Sequence, residues 1–145
     1  MRPCAPVGEG VKLSVVWSMT SPASRRFGPG ERHGELCALT ADFRELRSGG
    51  QGYLEVRLPG PAFPLLTLGF RDDHAVMHLC ADEESVSLHS GDGTVPPVVG
   101  VEVPVMDELA WFSGDFVLSV DHAWDVVRRF AVTGHFEGPG AWFEL

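Results

Sequence analysis

The run His74 to Cys80, HAVMHLC, gathers side chains able to hold a metal or move a proton. On an extended backbone His74, Val76, His78 and Cys80 share one face, and two imidazoles with a thiol are donors of the kind zinc takes. Spacing works against that chemistry. Residues i and i+4 on a strand stand roughly 13 Å apart, too far to share one ion, so only His78 and Cys80 could converge with a ligand from elsewhere. Half-buried residues on an ordinary strand account for the same pattern, and no metal or cofactor is assigned.

Acidic side chains form the second constellation: Asp72-Asp73, Asp82-Glu83-Glu84 and Asp107-Glu108, with Trp111 close to the last. Neighbouring carboxylates suit a hard cation, or they are solvated charges at hairpin tips. Together with Trp111 they also have the composition of a protein interface, in which charge steers and an aromatic ring anchors. Asp72, Asp73, Asp82, Glu83, Glu84, Asp107, Glu108 and Trp111 are therefore the candidate partner-binding residues.

Several catalytic patterns are missing. A zinc deaminase needs Pro-Cys-x-x-Cys, and Pro3-Cys4 has no second cysteine three positions on. A phosphate-binding G-x-x-x-x-G-K needs a lysine in a glycine loop, and the single lysine is Lys12. No G-x-S-x-G elbow occurs, and Gly91-Asp92-Gly93 is too short to cradle phosphate. Triads meet in space and not in sequence, so six histidines and twenty acids supply chance combinations only. No catalytic residue is assigned and the chain is read as a non-enzyme.

The elements that must position these groups are mostly strands. Lys12 to Met19 alternates, with Leu13, Val15, Trp17 and Met19 on one face. Residues 20–34, TSPASRRFGPGERHG, read as a long mobile loop carrying Arg25, Arg26 and Arg32. In Glu35 to Arg47, Leu36, Leu39, Phe43 and Leu46 fall at helical spacing before Gly49-Gly50. Tyr53 to Leu58 alternates, placing Leu54, Val56 and Leu58 inward. Leu65 to Phe70, His74 to Ala81 and Glu84 to His89 are short β-rich runs whose tight connections favour an antiparallel meander. Val98 to Val105 is a further strand, and Leu109 to Phe112 a short one that brings Trp111 to the sheet edge or the surface.

Phe116 to Leu145 is the most strongly patterned stretch. Ser119 suits a helix N-cap, Asp121 the positive end, Arg128 and Arg129 the negative end, and Gly134 a left-handed stop. Val120, Ala123, Val127, Phe130 and Ala131 make the apolar face, with Trp124 at its flank. The whole predicts one α+β domain over residues 1–145, an antiparallel sheet of about six strands with two helices packed on one face, preceded by a flexible segment over 1–11. The alternation in strands 12–19 and 53–58 predicts that the other face is polar.

Ala123, Val127, Phe130, Thr133, Gly134 and Trp142 also carry a resemblance. A helix with an A-x-x-x-V-x-x-F pattern leading into Thr-Gly, with a Trp in a short last strand, resembles the C-terminal signature of a family of bacterial immunity proteins from polymorphic toxin systems, often paired with nucleic-acid deaminase toxins. The likeness covers about thirty residues in detail. Where that family often has Arg-Pro after the glycine, this chain has His135, Phe136 and Glu137. The resemblance implies a protein that binds a cognate toxin and blocks its active site, with no catalysis of its own.

Composition agrees with such a role. At 145 residues and 44% hydrophobic content the chain suits one core, and a formal charge of −9 disfavours direct nucleic-acid binding while favouring a partner with a basic cleft. Cys4, Cys37 and Cys80 are odd in number and have no paired spacing, which argues against a disulfide framework. No secretory signal or membrane span is visible, so the expected compartment is the cytoplasm and the expected state a monomer or weak dimer. The alternatives are a small intracellular ligand-binding α+β domain and an uncharacterised hydrolase. An apolar pocket with convergent polar groups would favour the first, and a histidine within reach of Cys or Ser in a cleft the second.

Overall fold

A computed structural model describes residues 14–28, 30–135 and 141–145. The segment 1–11, with Cys4, then Lys12, Leu13, Pro29 and residues 136–140 lie outside the described residues. Strands β1 (Ser14–Met19), β2 (Arg32–Glu35), β3 (Gln51–Arg57), β4 (Leu65–Arg71), β5 (His74–Cys80), β6 (Val86–His89) and β10 (Trp142–Glu144) form one antiparallel sheet in the order β10-β6-β5-β4-β3-β1-β2. The short β9 (Leu118–Ser119) pairs with β5 beyond the end of β6. Helices α1 (Leu36–Ser48) and α2 (Val120–Thr133) complete an α+β domain. Among the described residues no helix is long and apolar enough to cross a membrane.

Period-two alternation decides which side of the sheet meets the helices. Val15, Trp17 and Met19 of β1, Leu54 and Val56 of β3, Leu66, Leu68 and Phe70 of β4, and Ala75, Met77 and Leu79 of β5 point to one side. There they meet Leu39, Phe43 and Leu46 of α1 and Ala123, Val127 and Phe130 of α2 in one buried cluster. The two helices touch through Trp124, whose ring stacks on Phe43 at 4.4 Å. The Ser119 hydroxyl accepts from the His122 N–H at 3.1 Å, and Gly134 ends α2 with φ 73°, its N–H donating to the Phe130 carbonyl. The cap, the stripe and the stop predicted for this stretch are all in place.

The second face differs from the expectation of a polar surface. Val16, Ser18, Tyr53, Thr67 and Val76 are buried there, because β7 (Gly100–Val105) and β8 (Glu108–Ser113) form a separate two-stranded hairpin laid across it. Val103 and Val101 of β7 and Phe112 of β8 pack onto Val76, Leu88, Val95 and Val117 as a second apolar cluster. The hairpin comes so close that its Pro104 carbonyl lies over Gly69, where a side chain would collide with it. Both sheets are antiparallel, but the domain is layered helix, sheet, hairpin, and the main sheet is wider than the six strands expected.

Two local departures follow from pairing that sequence periodicity does not carry. Arg32 to Gly34, expected inside the loop 20–34, and Glu35, expected to open the first helix, pair with β1 as β2, and Thr20 bridges to Phe27, so that loop is folded back on itself. Cys37 is disulfide-bonded while Cys80 carries a free thiol, so the odd cysteine count does not leave the chain without a disulfide. Such bonds are uncommon in reducing compartments, which pulls against the cytoplasmic expectation.

Candidate functional site

The hairpin presents two unlike sides. Register pairs Glu102 with Trp111 and Val103 with Ala110, so Val103 and Phe112 face the sheet while Trp111 and Leu109 project away from it. Trp111 is 65% exposed, in the company of exposed Val98, Val99, Met106 and Leu109. A large aromatic side chain left in solvent on an otherwise well-buried chain is the kind of feature that marks an interaction surface. The indole is not loose. It lies across Gly100, where any Cβ would collide with it, so the glycine makes a flat seat for the ring.

The predicted acids do not form one surface. Asp107 and Glu108 stand at the hairpin tip, four and three positions before Trp111, and strand alternation puts Glu108 on the face of Phe112, opposite to that of Trp111; the acid that register sets directly beside Trp111 is Glu102. Asp72 and Asp73 occupy the β4–β5 turn, whereas Asp82, Glu83 and Glu84 occupy the β5–β6 turn, at the opposite end of β5. The rise along a strand of that length sets the two turns roughly 20 Å apart. Asp73 is drawn toward the helix side by Arg47, which also pairs with Asp121 at 2.7 Å. Asp72 has φ 54° and makes the turn itself.

Two of these acids do backbone work. Asp82 accepts from the N–H groups of Glu84 and Ser85 at 2.8 and 2.9 Å, and the Glu84 hydrogen bond holds its carboxyl below the usual range. Asp107 accepts from the Phe27 N–H at 2.7 Å and so ties the loop after β1 to the hairpin tip. A cavity of about 280 Å³, with Asp107 in its wall, opens between the tip, the loop and the last turn of α1. Sequence reasoning missed this cavity and its acidic residue Glu45. No motif encodes them, since three segments distant in sequence, 20–25, 45–52 and 104–109, supply the walls.

The histidine and cysteine face acquires a different explanation. His78 meets Phe112 edge-on at 5.6 Å under the hairpin, and burial lowers its pKa, which keeps the ring neutral. Burial, followed by the neighbouring Glu55, raises the pKa of the Cys80 thiol and keeps it protonated. His78 and Cys80 are two positions apart on one face of β5. That spacing is roughly 7 Å, outside hydrogen-bond reach. Among the described residues no three His, Cys, Asp or Glu side chains converge to hold a metal ion. Tyr53 donates to Glu55 at 2.8 Å on the same face, its phenol pushed far up by burial and then by that carboxylate.

Asp92, set aside in the sequence as part of a short glycine turn, sits instead at the start of α2. It accepts from the N–H groups of Thr94 and Ser119, each at 2.9 Å, and its other contact is His122 Nδ1 at 3.2 Å. Burial pushes this carboxyl up, but the hydrogen bonds outweigh it and leave the pKa well below the ordinary value. The Ser119 hydroxyl beside it accepts from the His122 backbone N–H as the helix cap. The cluster fastens the loop over 90–94 to the helix. Compared with known proteins, the chain matches no family model and no curated sequence.

Proposed function

We propose that this chain is an immunity protein, one that binds a cognate toxin and closes off the toxin's active site or substrate entry. The toxin envisaged acts on nucleic acid, of the deaminase type, with a basic cleft. The observation that carries the reading is the outward side of the β7–β8 hairpin, where Trp111 rests on Gly100 with exposed Leu109, Met106, Val98 and Val99 on the same hairpin and its flank, beside Glu102 and with Asp107 and Glu108 at the tip. A rigid aromatic anchor with apolar neighbours and an acidic border is complementary to a positively charged cleft. The net charge of −9 adds long-range attraction to the same partner.

The division of labour sets the kinetics. Charge raises the rate of encounter and is screened by salt, whereas the apolar contacts slow dissociation and are not. The resemblance in Ala123, Val127, Phe130, Gly134 and Trp142 supports the reading from another direction, through residues that hold α2 and the terminal strand to the sheet. Their part is to build the platform that the hairpin lies on.

Co-expression of the tagged chain with the product of the adjacent gene tests the proposal. The expected result is a stoichiometric complex and survival of cells that the toxin alone kills, with an association rate that falls steeply between low and high salt. No complex and no protection would remove the proposal, and a salt-independent association rate would remove its steering part. The small-ligand alternative has the 280 Å³ cavity in its favour. That cavity lies against the hairpin tip and carries charged walls of both signs, unlike the mostly apolar lining of typical ligand pockets.

A further inference from the structure

We infer that the cavity under the hairpin tip is a socket for one long cationic side chain, a lysine or an arginine, of the docking partner; the inference rests on the docking reading above. Leu46, Pro104, Met106 and Leu109 supply an apolar wall suited to an aliphatic stem. Glu45 and Asp107 supply carboxylates for the charged head. Glu45 makes no ion pair among the described residues, and Asp107 uses Oδ1 for the Phe27 N–H, which leaves its second oxygen available.

The field inside the cavity has a definite sign. Two carboxylates face one guanidinium, that of Arg25 on the exposed loop, so the lining carries a net charge of −1. The last turn of α1 ends here as well, with Leu46, Ser48 and Gly49 in the wall, and the C-terminal end of a helix favours a cation. The basic residue of that turn, Arg47, is turned away onto Asp73 and Asp121. The carbonyls of Glu45, Leu46 and Arg47 accept from the Ser48 hydroxyl and from the Gly49 and Gly50 N–H groups, and no cationic side chain of this turn is paired toward the cavity.

Two further observations point to a preformed recess that the partner fills. Arg25 and Met106 both have left-handed backbone, φ 60° and 58°, on segments that face each other across the cavity. Non-glycine residues take that conformation at a cost, and such positions gather where a binding geometry is held in place. Met106 and Leu109 also belong to the exposed patch around Trp111, so a side chain entering the cavity comes from whatever molecule covers the hairpin.

The test uses the uniformly ¹⁵N-labelled full chain, titrated with the amides of N-acetyl-lysine and N-acetyl-arginine, with the neutral N-acetyl-norleucine amide, and with the anionic N-acetyl-glutamate amide. The expected result is amide shifts confined to Ser21, Ser48 to Gly52 and Met106 to Leu109, with a dissociation constant of the order of millimolar for the cationic probes. Binding should weaken by about fivefold or more for the norleucine probe and in Glu45→Gln. Equal shifts from the norleucine or glutamate probe, no shifts from either cation, or an unchanged Glu45→Gln would each overturn the socket. The two readings fail separately. Trp111→Ala is expected to leave probe binding intact, so a chain that takes the cationic probes but binds no toxin keeps the socket and loses the immunity role, whereas toxin binding insensitive to Glu45→Gln does the reverse.

Discussion

Placing a methyl group on Gly69 tests how the hairpin is held to the sheet. The new Cβ would overlap the Pro104 carbonyl oxygen and reach Val103 Cγ2 at 3.5 Å. The obstacle is backbone on both sides, β4 in the middle of the sheet and β7 of the hairpin, so no rotamer change relieves it. β7 has to lift by roughly 1 Å, and a gap of that size forfeits up to about half of the dispersion attraction across it. What loosens is the packing of fully buried Val103 against Val76, Leu88, Val95 and Val117. Overpacking of this kind costs about 1–3 kcal/mol. For a chain of this length, at about 4 °C per kcal/mol, Gly69→Ala is expected to lower Tm by about 4–12 °C in calorimetry, with a matching fall in the urea midpoint. Gly30→Ala serves as the control, because a Cβ there meets nothing within 4 Å. It should stay within about 0.5 kcal/mol of the parent. If Gly69→Ala is as stable as that control, the close approach of hairpin and sheet is not a packing constraint and the hairpin does not lie where the fold puts it.

Three other perturbations separate stability from binding. Ser119→Ala removes the acceptor for the His122 N–H. It should cost about 1 kcal/mol by urea unfolding, with a value near zero showing that the cap contributes nothing. The depressed pKa of Asp92 gives stabilisation that is complete above the ordinary carboxylate pKa, begins to fall below about 4 and is lost as pH passes through the depressed folded pKa. Asp92→Asn should therefore melt below the parent at pH 7, and the gap should narrow as pH falls below about 4 and close only when pH reaches the depressed folded pKa; a gap that does not narrow below about pH 4 would contradict the assignment. Because the Trp111 side chain stands largely in solvent, Trp111→Ala should change stability by less than about 0.5 kcal/mol. The same variant should weaken the toxin complex by about 2 kcal/mol or more. Gly100→Ala, which unseats the same ring, should shift tryptophan emission and speed dissociation. Unchanged affinity in both variants would show that the hairpin is not the anchor.

Much of the fold was legible because it is written in local chemistry. Ser119, Gly134 and the stripe from Val120 to Ala131 specify α2 within a few residues of one another, and the alternation in 53–58 and the tight turns at Asp72-Asp73 and Asp82-Glu83 specify a meander. The layer that sequence reading left out is the one that depends on distant pairing. β2 has only Arg32–Glu35 to show, a run with no apolar alternation, and it becomes a strand through β1 and not through its own composition. The β7–β8 hairpin reads as two more strands of the sheet, since nothing in VEVPV says that it crosses the sheet instead of joining it. In retrospect Gly69 was the available signal, a glycine in the middle of an apolar strand where another backbone comes close.

The acids at the turns show why a charge pattern in sequence is a weak guide to an interface but a fair guide to a field. Asp82 and Asp107 each hold backbone N–H groups, and Asp73 holds Arg47, so the residues that looked most available for a partner are partly committed to the chain itself. A carboxylate that accepts from an N–H keeps its charge, and the attraction between charges reaches across roughly a Debye length of about 8–10 Å whether or not the group touches anything. Steering therefore does not require the acids to lie in the contact. Anchoring does require an exposed apolar group, and among the proposed partner-binding residues Trp111, resting against Gly100, is the one that supplies it. Under the proposed docking, the acids in the β5–β6 turn would act on the association rate, and the hairpin with the cavity beneath its tip on the lifetime of the complex.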